Sequence, residues 1–159
     1  MKKSLISTIA KISIIAFAFI GLYACAIWYP ITNFSESLFG TAQDKIYKNI
    51  IRFVFYLGTS VPCFVILFYA WKIASAIKND NVFTYESANL IKKCTLILLI
   101  DDILFTLGNS AFLLLGWREY VFYYFVLAAI GLVASCVLYL MFYYVNEAAE
   151  LKEEIDLTI

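Results

Sequence analysis

Histidine is missing from the sequence altogether, and charge is scarce. Without histidine, the common zinc and haem sites lose their usual ligands, and catalysis loses its commonest base near neutral pH. Charged residues make up 15% of the 159 positions, against about 25% in a soluble domain. Lys plus Arg equals Asp plus Glu, so the formal net charge is zero. No basic face of the kind that binds nucleic acid stands out, so direct nucleic-acid binding is not expected. Only two prolines, Pro30 and Pro62, are available to interrupt long helices.

What fills the sequence instead is apolar. Hydrophobic residues account for 64% and the mean hydropathy is +0.85, the composition of an integral membrane protein. The length suits four spans of about 20 residues each, joined by short connections. A single domain over residues 1–159 is therefore expected, all-α, a membrane bundle of four transmembrane helices with a C-terminal helical extension on the cytoplasmic side. The four cysteines, Cys25, Cys63, Cys94 and Cys136, fall one in each apolar run. There a free thiol packs as a small hydrophobe, and a disulfide framework is disfavoured.

The first run, residues 12–30, follows Lys2, Lys3 and Lys11 and ends on Trp28 and Tyr29, an interfacial aromatic anchor. The stretch "LYAC" has the look of a lipoprotein cleavage box, but Tyr23 is bulky and the chain stays apolar after Cys25, so a retained span is expected. A polar segment, residues 31–49, leads to the second run at 50–77. Pro62 lies mid-span with Gly58, Thr59 and Ser60 just before it, and a kink is expected there, its loosened turn satisfied by the hydroxyls. The third run covers 94–116, "WREY" forms a tight turn, and the fourth run covers 121–145 with aromatic residues at both ends.

Lysine placement predicts the orientation. With the N-terminus inside, Lys2, Lys3, Lys11, Lys72, Lys78, Lys92, Lys93 and Lys152 gather on the inner side, against Lys45, Lys48, Arg52 and Arg118 outside. That bias predicts a multi-pass membrane protein with both termini in the cytoplasm.

Two features interrupt this plain pattern. The first is "LLIDDILF", with Asp101 and Asp102 adjacent inside the third span. An acid at mid-span costs roughly 2.5–3.5 kcal/mol on insertion scales, so it should face the bundle or a wet cavity. Thr95, Asp102, Thr106 and Asn109 recur at helical spacing and draw one polar stripe, with Asp101 on a flank beside Cys94 and Gly108. Asp102 is therefore expected in the interior, with Ser60, Cys63 or Ser135 as partners, or Lys11 or Lys72 reaching inward. Three roles stay open for the pair: a polar clasp between spans, a proton or ligand site, and the wall of a water-filled vestibule.

The second feature is a pair of polar segments due on the inner side. In residues 78–93, Thr84 is placed to cap the third helix, Glu86 sits in its first turn, and Phe83 can staple against Ala88. In the tail, 146–159, Glu147, Glu150, Glu153 and Glu154 alternate with Ala148, Leu151 and Ile155, and the chain closes on Asp156, Leu157, Thr158 and Ile159. Apolar residues among charges on both segments make a docking surface, with Phe83, Thr84, Glu86, Leu151, Asp156, Leu157 and Ile159 as its candidate residues.

The segments "VFTYESANLIKK", "WKIASAIKNDN" and "AAELKEEIDLTI" resemble the domain of unknown function 2975 family of small bacterial membrane proteins. The match lies in Phe83, Thr84, Glu86, Ala88, Leu90 and Ile91, and in Leu151, Glu153, Asp156, Leu157 and Thr158, with Ile155 standing where a polar residue is expected. The resemblance implies four spans and, because members are frequently encoded beside a small helix-turn-helix regulator, a regulatory partnership. Two functions follow as expectations. One is a non-enzymatic membrane regulator or sensor that binds a cytoplasmic partner. The other is a small transporter or immunity-type protein working through Asp101 or Asp102, which as a transporter would need a homo-oligomer. No base, activated nucleophile, metal cluster or cofactor motif supports an enzyme, and the paired acids are the one group that keeps an aspartyl-type reaction in view.

Overall fold

The computed structural model describes the backbone of residues 2–37, 42–78, 82–116 and 121–157, and the side chains of 3–26, 47–78, 82–116 and 123–155. Four helices follow one another: α1 (Lys2–Ser37), α2 (Ala42–Lys78), α3 (Tyr85–Leu114) and α4 (Val121–Leu157). Each contains a stretch long and apolar enough to cross a membrane: Lys3–Ala26, Tyr47–Lys78, Tyr85–Leu114 and Tyr123–Ile155. No strand occurs among the described residues.

Helices α1 and α2 run into the segment expected to join them. The polar segment expected between spans at 31–49 is largely helical, because α1 runs on through position 30 to Ser37 and α2 starts at Ala42. Polarity ends a membrane span but not a helix, which stops only where backbone or capping chemistry makes it stop. The interfacial pair Trp28 and Tyr29 and the turn at 117–120 with Arg118 lie outside the residues whose side chains are described.

The helices alternate in direction and pack in chain order, α1 on α2, α2 on α3 and α3 on α4. Gly108 of α3 takes the ring of Phe55 from α2 so closely that a Cβ there would collide with it. Gly131 of α4 does the same for Asp102, whose Oδ1 lies 2.6 Å from the place of a Cβ. Small residues at such crossings let helices approach where lipid offers no hydrophobic drive for association.

Burial concentrates where α1 and α3 begin and α2 and α4 end. Ser7, Ala74, Ser87, Ala88, Ile91, Cys94, Thr95 and Ala149 are all buried there. The Ser7 hydroxyl donates to the Ala74 carbonyl at 2.6 Å and ties α1 to α2. Lys11 sits over the Trp71 ring at 5.1 Å, Lys72 over Phe68 at 5.0 Å, and Lys92 over Phe142 at 5.6 Å. Such cation–π contacts let a lysine stem lie on apolar surface.

Helix α2 is assigned helical without a break through Pro62. The carbonyl that Pro62 leaves without its usual donor is that of Gly58. The neighbouring hydroxyls go elsewhere: Thr59 donates to the Tyr56 carbonyl and Ser60 to the Leu57 carbonyl. Hydroxyl rescue of the loosened turn is therefore not how this helix passes its proline.

All four cysteines are free thiols. Cys94 is a buried packing residue, whereas Cys63 and Cys136 are exposed.

Candidate functional site

At the shared end of the bundle, local chemistry starts α3. Thr84 holds an extended backbone, φ −139° and ψ 153°, and its side chain accepts the Ser87 amide at 3.3 Å. The donor carries one of the first-turn N–H groups that lack an intrahelical partner, so this is a working N-cap, with Glu86 in the turn that favours an acid. Ala88 is almost fully buried, but Phe83 is 54% exposed, so a staple between them leaves most of the ring uncovered.

The extension of α4 runs past this start. Ala149 is 4% exposed, and the Tyr85 side chain is turned to the Glu153 carboxylate, with Glu150 and Glu154 nearby. Glu147, Glu150, Leu151, Glu153, Glu154 and Ile155 face outward. The two segments are thus brought side by side, with Phe83, Tyr85, Leu151 and Ile155 presenting apolar surface among carboxylates. Thr84 contributes as the cap rather than as free surface. Ala149, which fixes the register of the extension, went unnoticed in the sequence because an alanine between glutamates carries no signal of its own. The side chains of Asp156, Leu157 and Ile159 lie outside the described residues.

The second constellation sits at the middle of α3. The expected single stripe divides, because α3 packs between α2 and α4 and so has two inward faces. Asn109 is buried and accepts the Tyr56 hydroxyl of α2 at 3.0 Å, while its own amide donates to the Phe105 carbonyl at 2.7 Å. Thr106 and Asp102 border a groove of about 390 Å³ against Ala128, Ala129 and Leu132 of α4. Thr95 stays at the closed end, donating to the Ile91 carbonyl.

Asp101 and Asp102 are both half-buried and both line a cavity of about 300 Å³ among α2, α3 and α4, with Thr59, Ser60 and Cys63 on the α2 side. Asp102 faces the bundle as expected, against Gly131 of α4, and Asp101, expected on a flank, lines the same cavity. Cys94, Asp101 and Gly108 recur every seven residues on the face turned to α2, where Cys94 is buried, Asp101 interacts with Cys63 and Gly108 receives Phe55. Of the partners expected for the acids, Cys63 lies near Asp101 but donates to the Thr59 carbonyl, and the others are engaged elsewhere. Ser60 and Ser135 donate to carbonyls of their own helices, and Lys11 and Lys72 lie on aromatic rings. Neither carboxylate has a hydrogen-bond or ion-pair partner among the described residues.

Next to this cavity lies another, of about 190 Å³, walled by Ala24, Cys25, Phe53 and Tyr124. Tyr56, Phe105 and Leu127 belong to both. Tyr56 stacks on Tyr124 with ring centroids 5.6 Å apart, and Phe105 meets Tyr124 edge-on at 6.2 Å. Tyr56 is the residue that sequence reasoning missed. A tyrosine in an aromatic-rich span looks like any other, and only the packing of α2 on α3 brings it to Asn109. Asn49 and Arg52 of α2 are buried as well. No group of three or more His, Cys, Asp or Glu able to hold a metal occurs among the described residues.

A family model, Protein of unknown function (DUF2975), matches the chain over residues 12–159. The chain belongs to the DUF2975 family. For this family member no curated protein and no solved structure gives a match. The match spans nearly the whole chain, including both the tail and the acidic mid-span, so both constellations lie within the family's domain.

Proposed function

We propose that this DUF2975 protein is a non-enzymatic membrane regulator that captures a cytoplasmic partner on the face built by the start of α3 and the extension of α4. The observation that carries this is the packing of those two segments into one surface, with Phe83, Tyr85, Leu151 and Ile155 exposed among Glu147, Glu150, Glu153 and Glu154. Lysine distribution supports a cytoplasmic position for that surface, in the bacterial cytoplasmic membrane with both termini inside. Its chemistry suits a basic amphipathic helix: apolar anchors give affinity, and the acidic rim gives steering and orientation. The family resemblance makes a small helix-turn-helix regulator the candidate for that partner. Held at the membrane, such a regulator would be kept from its operator.

The test is co-purification of the full-length protein from mild detergent with a small helix-turn-helix regulator as candidate partner, paired with a reporter of that regulator's operator. Leu151→Asp with Ile155→Asp places charge on two exposed positions, so folding should survive. Capture should be lost and the reporter should change as it does on deletion of the whole protein. Leu157→Asp with Ile159→Asp extends the same test to the end of the tail. Retention of both capture and reporter control in these variants would remove the docking face as the working surface.

A further inference from the structure

The two adjoining cavities at the middle of the bundle do not belong to the docking face, and their chemistry is specific. One end is aromatic and apolar, with Phe53, Tyr56, Phe105 and Tyr124 around it. The other carries the carboxylates of Asp101 and Asp102 beside the hydroxyls of Thr59 and Ser60. Tyr56, Phe105 and Leu127 line both, so the two lie side by side along one groove of the bundle. We infer that this groove binds amphipathic organic cations, the positive head at Asp101 and Asp102 and the apolar body along the aromatic end.

Three observations point to that class of ligand. Neither acid has a lysine or arginine as ion-pair partner among the described residues, and Lys11 and Lys72, expected to reach inward, are held on Trp71 and Phe68. A carboxylate at mid-span calls for a cation or hydrogen-bond donors to offset its burial. Aromatic faces next to those acids attract an organic cation, whose weak hydration lets it leave water cheaply. A hard metal ion would instead require six or more oxygen ligands, and the apolar walls do not supply them. Leu57, Cys63 and Leu127, at the rim, are exposed on the outside of the bundle. The groove thus opens sideways to lipid, which is where an amphipathic cation dissolves.

Calorimetric titration of the full-length protein in a neutral detergent tests this with three probes that share one tail: decyltrimethylammonium, decanol and decyl sulfate. The cation should bind, and the alcohol and the sulfate should bind at least about tenfold more weakly, the factor that corresponds to 1.4 kcal/mol of charge recognition. Asp101→Asn with Asp102→Asn, which keeps shape and removes charge, should weaken the cation about tenfold or more and leave decanol unchanged. Leu127→Trp, which fills the shared wall and leaves both carboxylates in the sequence, should abolish binding of the cation, and so decides the matter should the Asn pair fail to fold. Equal binding of cation and alcohol, or undiminished cation binding in either variant, would overturn the assignment. Leu151→Asp with Ile155→Asp should leave all three titrations as they are, so failure of the docking face and failure of the groove are told apart.

Discussion

The start and the middle of α3 solve the same packing problem in opposite ways. At its start, small side chains close the interface: Ser87, Ala88 and Ala149 are all below 5% exposure, and the neighbouring Ser7 and Ala74 are equally tight. At its middle, Asp101 and Asp102 hold the helices around a cavity of about 300 Å³. The same helix is thus clamped where it emerges and open where it crosses. A region that must present a surface gains from rigidity, and a region that must admit a ligand gains from space.

That contrast can be broken by volume. Ala88→Leu adds bulk where there is none to spare and should cost about 1–3 kcal/mol, read as a lower melting temperature in detergent. Enlarging a groove residue, as in Leu127→Trp, should shift melting far less, because space is already present. If the two substitutions cost the same, the closed and open ends are not different in kind.

Next in size is the cap. Thr84→Ala removes the acceptor for the Ser87 amide and should cost about 1 kcal/mol, while Thr84→Ser or Thr84→Asp should restore the loss. Because the cap sets where α3 begins, Thr84→Ala should also weaken partner capture, whereas rescue by Ser should recover both. A loss of capture that Ser does not rescue would mean that Thr84 touches the partner.

A comparable but smaller effect is expected at the cross-helix bond. Tyr56→Phe deletes the hydroxyl that Asn109 accepts and should cost about 0.5–1.5 kcal/mol. The smallest change is Ser60→Ala, whose hydroxyl only bonds a carbonyl of its own helix. It should stay within about 0.5 kcal/mol. A larger penalty would show Ser60 to be partnered with the acids across the cavity.

These sites also mark what could be read from the sequence. The four spans and the Thr84 cap were legible, because apolar run length and capping chemistry are local properties. Even the pairing of the 78–93 segment with the tail followed from both lying on one side of an alternating bundle. The helical ends were not legible: nothing in residues 31–37 or 42–49 distinguishes a helix leaving the membrane from a polar loop. Nor was the role of Asp101. A polar stripe identifies one inward face, but α3 lies between two neighbours and has two, so Cys94, Asp101 and Gly108 became interior only once α2 was in place. Tyr56 needed that same packing to meet Asn109.

The docking account stands on the side of the membrane at which α3 starts and α4 ends, and single-cysteine labelling tests that most directly. With Cys25, Cys63, Cys94 and Cys136 replaced, a cysteine at Phe83 or at Ile155 is treated in intact cells with a membrane-impermeant thiol reagent. Both positions should stay unlabelled until the cells are permeabilised and then react readily, since both are exposed on the protein. Labelling of either position from outside intact cells would contradict a cytoplasmic docking face.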